Sequence, residues 1–233
     1  MTAVLDRFRR DLEQATGSTL TEEKLRESVQ LHNRLRDNLK KLYSARVKKP
    51  GFMNGSDFQC ILKACMVMDR GDAVKETGRL LETISTDTGT GSSSTRIFLA
   101  GGACTHPDIY SIIENCGGVV VSDELCTGSR YFQGRTDEKK DPVHAMADRF
   151  CDRIVCPAKH HSCTARAEDT LLEVKKSGAQ GVIFFHLKFC DPHSFDYPYM
   201  KEYLYSNGIP SMLIEIDEKL DTGGQAATKI EAF

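Results

Sequence analysis

Apolar residues follow a helical period through the first part of the chain and shorter, strand-like runs afterwards. Between Thr21 and Tyr43, Leu25, Val29, Leu35, Leu39 and Leu42 fall on one helical face. Glu22 and Glu23 suit the positive end of that helix, and Thr21 with Lys24 makes an imperfect capping box. Further helices are expected over Ser56–Met68 and Asp72–Ser85, with Pro50, Gly51 and Gly55 punctuating between the first and second. The stretch Thr86–Thr95 holds only Gly, Ser, Thr and Asp and reads as a linker. It divides the chain into a helical region, residues 1–90, and a second unit, residues 91–233.

In that second unit, apolar runs at Arg96–Ala100, Gly118–Ser122, Arg153–Cys156, Gly181–His186 and Ser211–Ile216 predict strands. Amphipathic segments at Asp108–Asn115, Val143–Cys151, Ala165–Ser177 and Asp196–Ser206 predict the helices between them. Gly117, Gly178 and Gly208 stand where left-handed helix caps are expected. Strand–helix–strand alternation at this spacing implies parallel pairing with right-handed crossovers. The expected architecture is therefore α/β: an open five-stranded parallel sheet flanked by helices, preceded by a helical region.

Composition narrows the chemistry. The 233 residues suffice for one large domain with a sizeable core. A net charge of −2 with interspersed signs gives no basic stripe, so no nucleic-acid partner is expected. The first fourteen residues carry charges every few positions and no apolar core, unlike a signal peptide. The longest apolar runs, such as Gly181–Phe185, are too short to span a bilayer. A cytoplasmic protein with no membrane association is expected.

Nine cysteines then stand out. In a reducing compartment they are not a disulfide framework, and their number is odd. Cys60 and Cys65 lie in a helical pattern and read as small core hydrophobes; Cys116 and Cys151 end helices and read as structural. The others follow strands. Cys104 comes after the first, in Gly101-Gly102-Ala103-Cys104, and Cys126 after the second, in Asp123-Glu124-Leu125-Cys126. The third ends in Cys156-Pro157, with Cys163 a little further on, and Cys190 follows the fourth. The fifth delivers Glu215 and Asp217. Open parallel sheets bind ligands outside the carboxyl ends of their strands, and converging thiolates suit a soft metal. No Cys-x-x-Cys pair occurs, which disfavours a zinc ribbon or a ferredoxin-type run. A redox thiol or a thiol nucleophile is the alternative. His160, His161 and His193 read as solvated or capping residues, and Gly101-Gly102 is only a weak phosphate-loop signal.

Longer segments carry a resemblance. DELCTGSRYF (Asp123–Phe132), DRIVCP (Asp152–Pro157), GVIFFHLKFCDPHSFDYPYMK (Gly181–Lys201) and GIPSMLIEIDEKLDTGGQAATKIEAF (Gly208–Phe233) are similar to the C-terminal half of the benzoyl-CoA reductase / 2-hydroxyacyl-CoA dehydratase family, which includes 2-hydroxyglutaryl-CoA dehydratase. Asn33-x-x-Arg36 within VQLHNRLRDNLKKLY, and GSDF at Gly55–Phe58, resemble its central helical region.

The resemblance implies an oxygen-sensitive iron–sulfur subunit that receives low-potential electrons from an ATP-hydrolysing activator protein. Dehydratases of the family pass the electron to a 2-hydroxyacyl-CoA thioester, forming a ketyl radical from which water is eliminated; the reductases reduce an aromatic ring. A related branch holds a double-cubane cluster and reduces small molecules. Carried over by motif, Cys190 in KFCDPH is the foremost ligand of a [4Fe–4S] cluster, or of a double-cubane one. Cys126 in LCTG and Cys156 in IVCP correspond most closely to the double-cubane branch. Cys104 and Cys163 rank behind these three. Lys188, Asp191, His193 and Glu215 are expected around the cluster and not on it.

Family members begin with a further α/β domain and continue beyond the point where IEAF closes this sequence. A split subunit, a truncated product or an excerpt of a longer protein is expected, with a second dehydratase or reductase subunit as partner and an oligomeric state. A non-catalytic scaffold that keeps the fold is the competing expectation.

Overall fold

The computed structural model describes residues 1–48, 53–84, 94–103, 108–153, 156–158, 164–217 and 223–233. Strands β1 (Thr95–Gly101), β2 (Gly118–Asp123), β3 (Gly181–Leu187) and β4 (Ser211–Ile216) form one parallel sheet in the order β2-β1-β3-β4. From β1 the chain moves to one side to make β2, and from β3 to the other side to make β4. The crevice at the carboxyl ends of β1 and β3 is thus the switch point where such sheets bind ligands.

Alternation along the strands fills both faces. Ile97, Leu99, Val120, Ile183, Phe185, Ile214 and Ile216 pack with Ile109, Tyr110 and Ile113 of α5 (Ile109–Asn115) and with Ala226 and Ile230 of α10 (Gly223–Glu231). On the other face Phe98, Ala100, Val182 and Phe184 meet Ala167, Leu171 and Val174 of α8 (Ala165–Ser177) and Met200 and Leu204 of α9 (Asp191–Ser206). Three layers result, helix–sheet–helix. Gly117, Gly178 and Gly208 all have positive φ, as helix caps require.

The helical region contains α1 (Thr2–Thr16), α2 (Glu22–Lys48), α3 (Gly55–Val67) and α4 (Arg70–Ile84). Leu35, Leu39, Leu42, Phe58, Leu62, Cys65 and Ala73 form its core, and Phe132 of α6 (Ser129–Phe132) completes it from the sheet side. Leu39, Leu42 and Leu62 are fully buried, each contributing on the order of 2 kcal/mol relative to exposure. Asn33, buried on α2, accepts from the Thr136 amide at 3.1 Å and donates to the Thr136 carbonyl at 2.8 Å. That reciprocal pair fastens the long helix to the loop ahead of α7 (Pro142–Asp152).

Three expectations need correction. The sheet has four strands among the described residues, not five: Arg153 is the C-cap of α7, its amide donating to Arg149 O, and so does not start a strand. Ile154 and Val155 of that segment lie outside the described residues, as do Pro50, Gly51, Ser85 and the linker up to Ser93. Helix α9 starts at Asp191, five residues earlier than expected, because Pro192 sits in the first turn where its missing N–H costs nothing. Pro198 lies inside the same helix. Cys60 is exposed, while Cys65 is buried in the helical core as expected.

Candidate metal centre

Each strand end is shaped by a local constraint. At the end of β1, a Cβ on Gly101 would collide with the Phe185 carbonyl of β3, so only glycine permits this strand pairing. A Cβ on Gly102 would stand 3.3 Å from His193 Nε2, which brings the β1 loop against α9. These contacts account for the glycine pair.

After β2, Asp123 organises the turn that carries Cys126. Its Oδ1 accepts from the amides of Leu125 at 3.1 Å and Ser129 at 2.8 Å, and its carbonyl accepts from Ser129 Oγ at 2.6 Å. The Tyr43 hydroxyl donates to Asp123 Oδ2 at 3.0 Å and accepts from the Asp123 amide at 2.5 Å. Burial pushes the Tyr43 hydroxyl far above its ordinary pKa, so it stays protonated. A Cβ on Gly128 would run into the Asp123 carboxylate, so glycine is required there too. The Cys126 amide donates to Gly102 O at 3.2 Å, tying the second loop to the first, and its side chain is exposed.

Beneath that thiol lies a buried ionic network. Arg130 Nη1 donates to Cys126 Sγ at 3.5 Å and to Gly101 O at 3.4 Å, and Nη2 stands 3.5 Å from Glu124 Oε2. Arg166 Nη2 meets Glu124 Oε1 at 2.6 Å and His193 Nδ1 at 3.2 Å, while its Nη1 reaches Asp196 at 3.2 Å. Arg130, Arg166, Glu124, His186 and His193 are all buried. Arg130 Nε and Nη2 and Arg166 Nε have no hydrogen-bond partner of acceptable geometry among the described residues. Burial alone would lower the Arg130 pKa, but Glu124, Cys126 and Cys156 nearby hold it above its ordinary value. Burial and the Arg166 charge push His193 far down and His186 to about 4, so both imidazoles are neutral at physiological pH.

The expected site residues fall as follows. Cys126 and Cys190 lie past the carboxyl ends of β2 and β3, on one edge of the sheet, and Cys156 is close enough to Arg130 to act on its charge. Cys190 is the N-cap of α9, its amide donating to Leu187 O at 3.2 Å. Cys104, Cys163, His160 and His161 lie outside the described residues. Among the described residues no three His, Cys, Asp or Glu side chains are gathered tightly enough to hold a metal ion. Cys116 is half-buried against the sheet core and donates to Ala227 O, while Cys151 is exposed.

Of the surrounding residues, His193 is buried, not solvated, and is oriented by Arg166. Asp191 is the first residue of α9 and exposed, with Cys190 in the N-cap position. Lys188 is peripheral: its Nζ lies 3.7 Å from Asp217 and its side chain is 43% exposed. Glu215, next to last in β4, points outward, opposite Ile214 and Ile216 in the alternation, and adds to burial in raising the Tyr197 pKa. Arg130, Arg166 and Glu124 escape the sequence reading. The signal for them is the Asp-Glu pair closing an apolar strand, where an unpaired buried carboxylate demands cations nearby.

The Cys126 sulfur, held against a buried guanidinium with unfilled hydrogen-bonding capacity, suits an anionic, thiolate-ligated group. Comparison with known proteins points the same way. The chain is 28% identical over 222 residues to the (R)-phenyllactyl-CoA dehydratase beta subunit of Clostridium sporogenes, covering 95% of this chain and 59% of that protein. It is 24% identical over 226 residues to the beta subunit of (R)-2-hydroxyglutaryl-CoA dehydratase from Acidaminococcus fermentans, covering 95% and 60%. To one of the subunits of benzoyl-CoA reductase from Thauera aromatica it is 25% identical over 217 residues, covering 90% and 55%. The chain therefore spans between 55% and 60% of the length of these relatives. With the model of 2-hydroxyglutaryl-CoA dehydratase, D-component, matching residues 1–233, the chain belongs to that family.

Proposed function

We propose that the chain is the iron–sulfur subunit, or a large part of one, of an ATP-activated enzyme acting on 2-hydroxyacyl-CoA or aromatic acyl-CoA thioesters. The observation that carries this reading is the Cys126 thiol at a strand end, receiving a hydrogen bond from the buried Arg130. Cys126, Cys156 and Cys190 would hold the cluster, with Cys104 or Cys163 as further donors. A [4Fe–4S] cluster there would relay single electrons at low potential. Named relatives are beta subunits of dehydratases, which supports a second subunit as partner.

This chain's own residues prepare the site. Asp123 and Tyr43 fix the turn that presents Cys126, Arg130 neutralises part of the thiolate charge, and the neutral His193 seals the Gly102 side. A cavity of about 170 Å³ beside the network is lined by Lys40 and Tyr43 as well as Asp123, Glu124, Asp169 and Glu173.

No described helix is long and apolar enough to cross a membrane. A double-cubane reductase is the second reading, resting on the LCTG and IVCP segments. The test is anaerobic assay of the chain with its second subunit, an ATP-dependent activator and a panel of 2-hydroxyacyl-CoA thioesters. ATP-dependent dehydration of at least one thioester supports the proposal. ATP-dependent turnover of small molecules alone would favour the double-cubane reading, and no turnover in a cluster-loaded complex would favour a scaffold.

A further inference from the structure

We propose that Arg130 sets the reduction potential of the thiolate site, its buried charge favouring electron uptake by the sulfur-ligated group that Cys126 helps to hold. The inference rests on the cluster reading above and deepens it. Position is the first ground. Arg130 is 5% exposed and touches two strand ends, Gly101 O at 3.4 Å and Cys126 Sγ at 3.5 Å, and it is linked through Glu124 and Arg166 to His193 of α9, just beyond Cys190.

Charge is the second ground. Two buried guanidinium groups share the Glu124 carboxylate, and they do so unequally: Arg166 meets it at 2.6 Å, Arg130 at 3.5 Å. Glu124 is thus engaged mainly by Arg166, which also has Asp196. Arg130, held more loosely by Glu124, turns Nη1 to the thiol, and its Nε and Nη2 lack hydrogen-bond partners among the described residues. Because Arg130 is itself buried, water screens its charge less than it would that of a surface cation. Cluster potentials follow local charge and hydrogen bonds to sulfur, and Arg130 provides both.

Lys188, another cation of the edge, is a poor candidate: it is partly exposed and pairs with Asp217, so solvent and a carboxylate offset its charge.

The experiment is a redox titration of protein reconstituted anaerobically with iron and sulfide, comparing wild type with Arg130→Lys, Arg130→Gln, Glu124→Gln and Lys188→Met. Iron per chain is measured first. The expected result is a midpoint shifted negative in Arg130→Gln, shifted positive in Glu124→Gln, and near wild type in Arg130→Lys and Lys188→Met. Loss of iron in Arg130→Gln but not in Arg130→Lys also supports the inference, since charge and not bulk is then what the site requires. Unmoved midpoints in both glutamine variants overturn it. So does loss of iron from folded Arg130→Lys and Arg130→Gln alike, which would make Arg130 a structural prop. If Arg130→Gln does not fold, the sign of the Glu124→Gln shift decides. Wild-type protein that takes up no iron fails the cluster reading itself, a result distinct from all of these.

Discussion

Asp123 accepts four hydrogen bonds, three on its carboxylate and one on its carbonyl. Removing the carboxylate leaves the buried Leu125 and Ser129 amides unpaired and the Tyr43 hydroxyl with Ser122 Oγ, at 3.2 Å, as its remaining acceptor. Asp123→Ala should therefore cost about 3 kcal/mol, and Tyr43→Phe, which removes a hydroxyl that donates to the carboxylate and accepts from the Asp123 amide, about 1–2 kcal/mol. Urea denaturation measures both; a loss below about 1 kcal/mol for Asp123→Ala would mean that the turn forms without its carboxylate. His186 gives a pH dependence. Its pKa falls from 6.5 unfolded to about 4 folded, so the unfolded chain binds the extra proton first. Stability is full above the unfolded value and is lost as pH drops through that window. Neutral His193 adds in the same direction. His186→Leu should flatten the urea-midpoint slope over this range, and an unchanged slope would show that His186 titrates freely. At this scale the cysteines after strands are legible because sequence order reveals which residues leave an edge. The arginines beneath them are not, since Arg166 reaches Glu124 from an element distant in sequence and the turn that brings Arg130 back beneath Cys126 is seen only in the fold.

Strands β1, β2, β3 and β4 and the helices between them are largely legible, because apolar runs separated by glycine-capped amphipathic segments admit little else. Arg153–Cys156 shows the limit. An apolar stretch reads alike whether it enters a sheet or leaves a helix, and the Arg153 amide is already engaged by Arg149. Helix α9 reads five residues short in the sequence because Asp191-Pro192 suits a turn as well as it suits a first helical turn. The two cysteines of α3 separate by periodicity: five residues apart, Cys65 joins the cluster of Leu39 and Phe58 while Cys60 faces outward. Cys60→Ser should accordingly change stability by less than about 0.5 kcal/mol and Cys65→Ser should cost about 1–2 kcal/mol. Neither should alter iron content. Equal costs in thermal or urea unfolding would contradict the orientation seen here.

Taken whole, the molecule gathers exposed aromatic surface at the edge where Cys190 lies. Phe189 is 94% exposed and holds a positive φ of 66°, which for a bulky side chain costs of order 1 kcal/mol; Phe195 and Tyr199 are exposed nearby on α9. Aromatic side chains left in water at a strained position suit burial by another subunit. Phe189→Gly should leave the isolated chain as stable or slightly more so, while weakening self-association or binding to a partner subunit. Sedimentation velocity reads the association, and tighter association in the variant would contradict the assignment. The family resemblance alone implies an oligomer; it does not say which face carries it, because exposure depends on how α9 packs.

The most direct test of the cluster assignment is the iron and acid-labile sulfide content per chain after anaerobic reconstitution, with EPR of the dithionite-reduced protein. It is measured for wild type and for Cys126→Ser, Cys156→Ser and Cys190→Ser. About four irons per chain in the wild type, with a cubane signal, and at least half of that iron lost in each variant, is the expected result; about eight would indicate a double cubane. Wild-type iron no higher than in the three variants would contradict a cluster held by these cysteines.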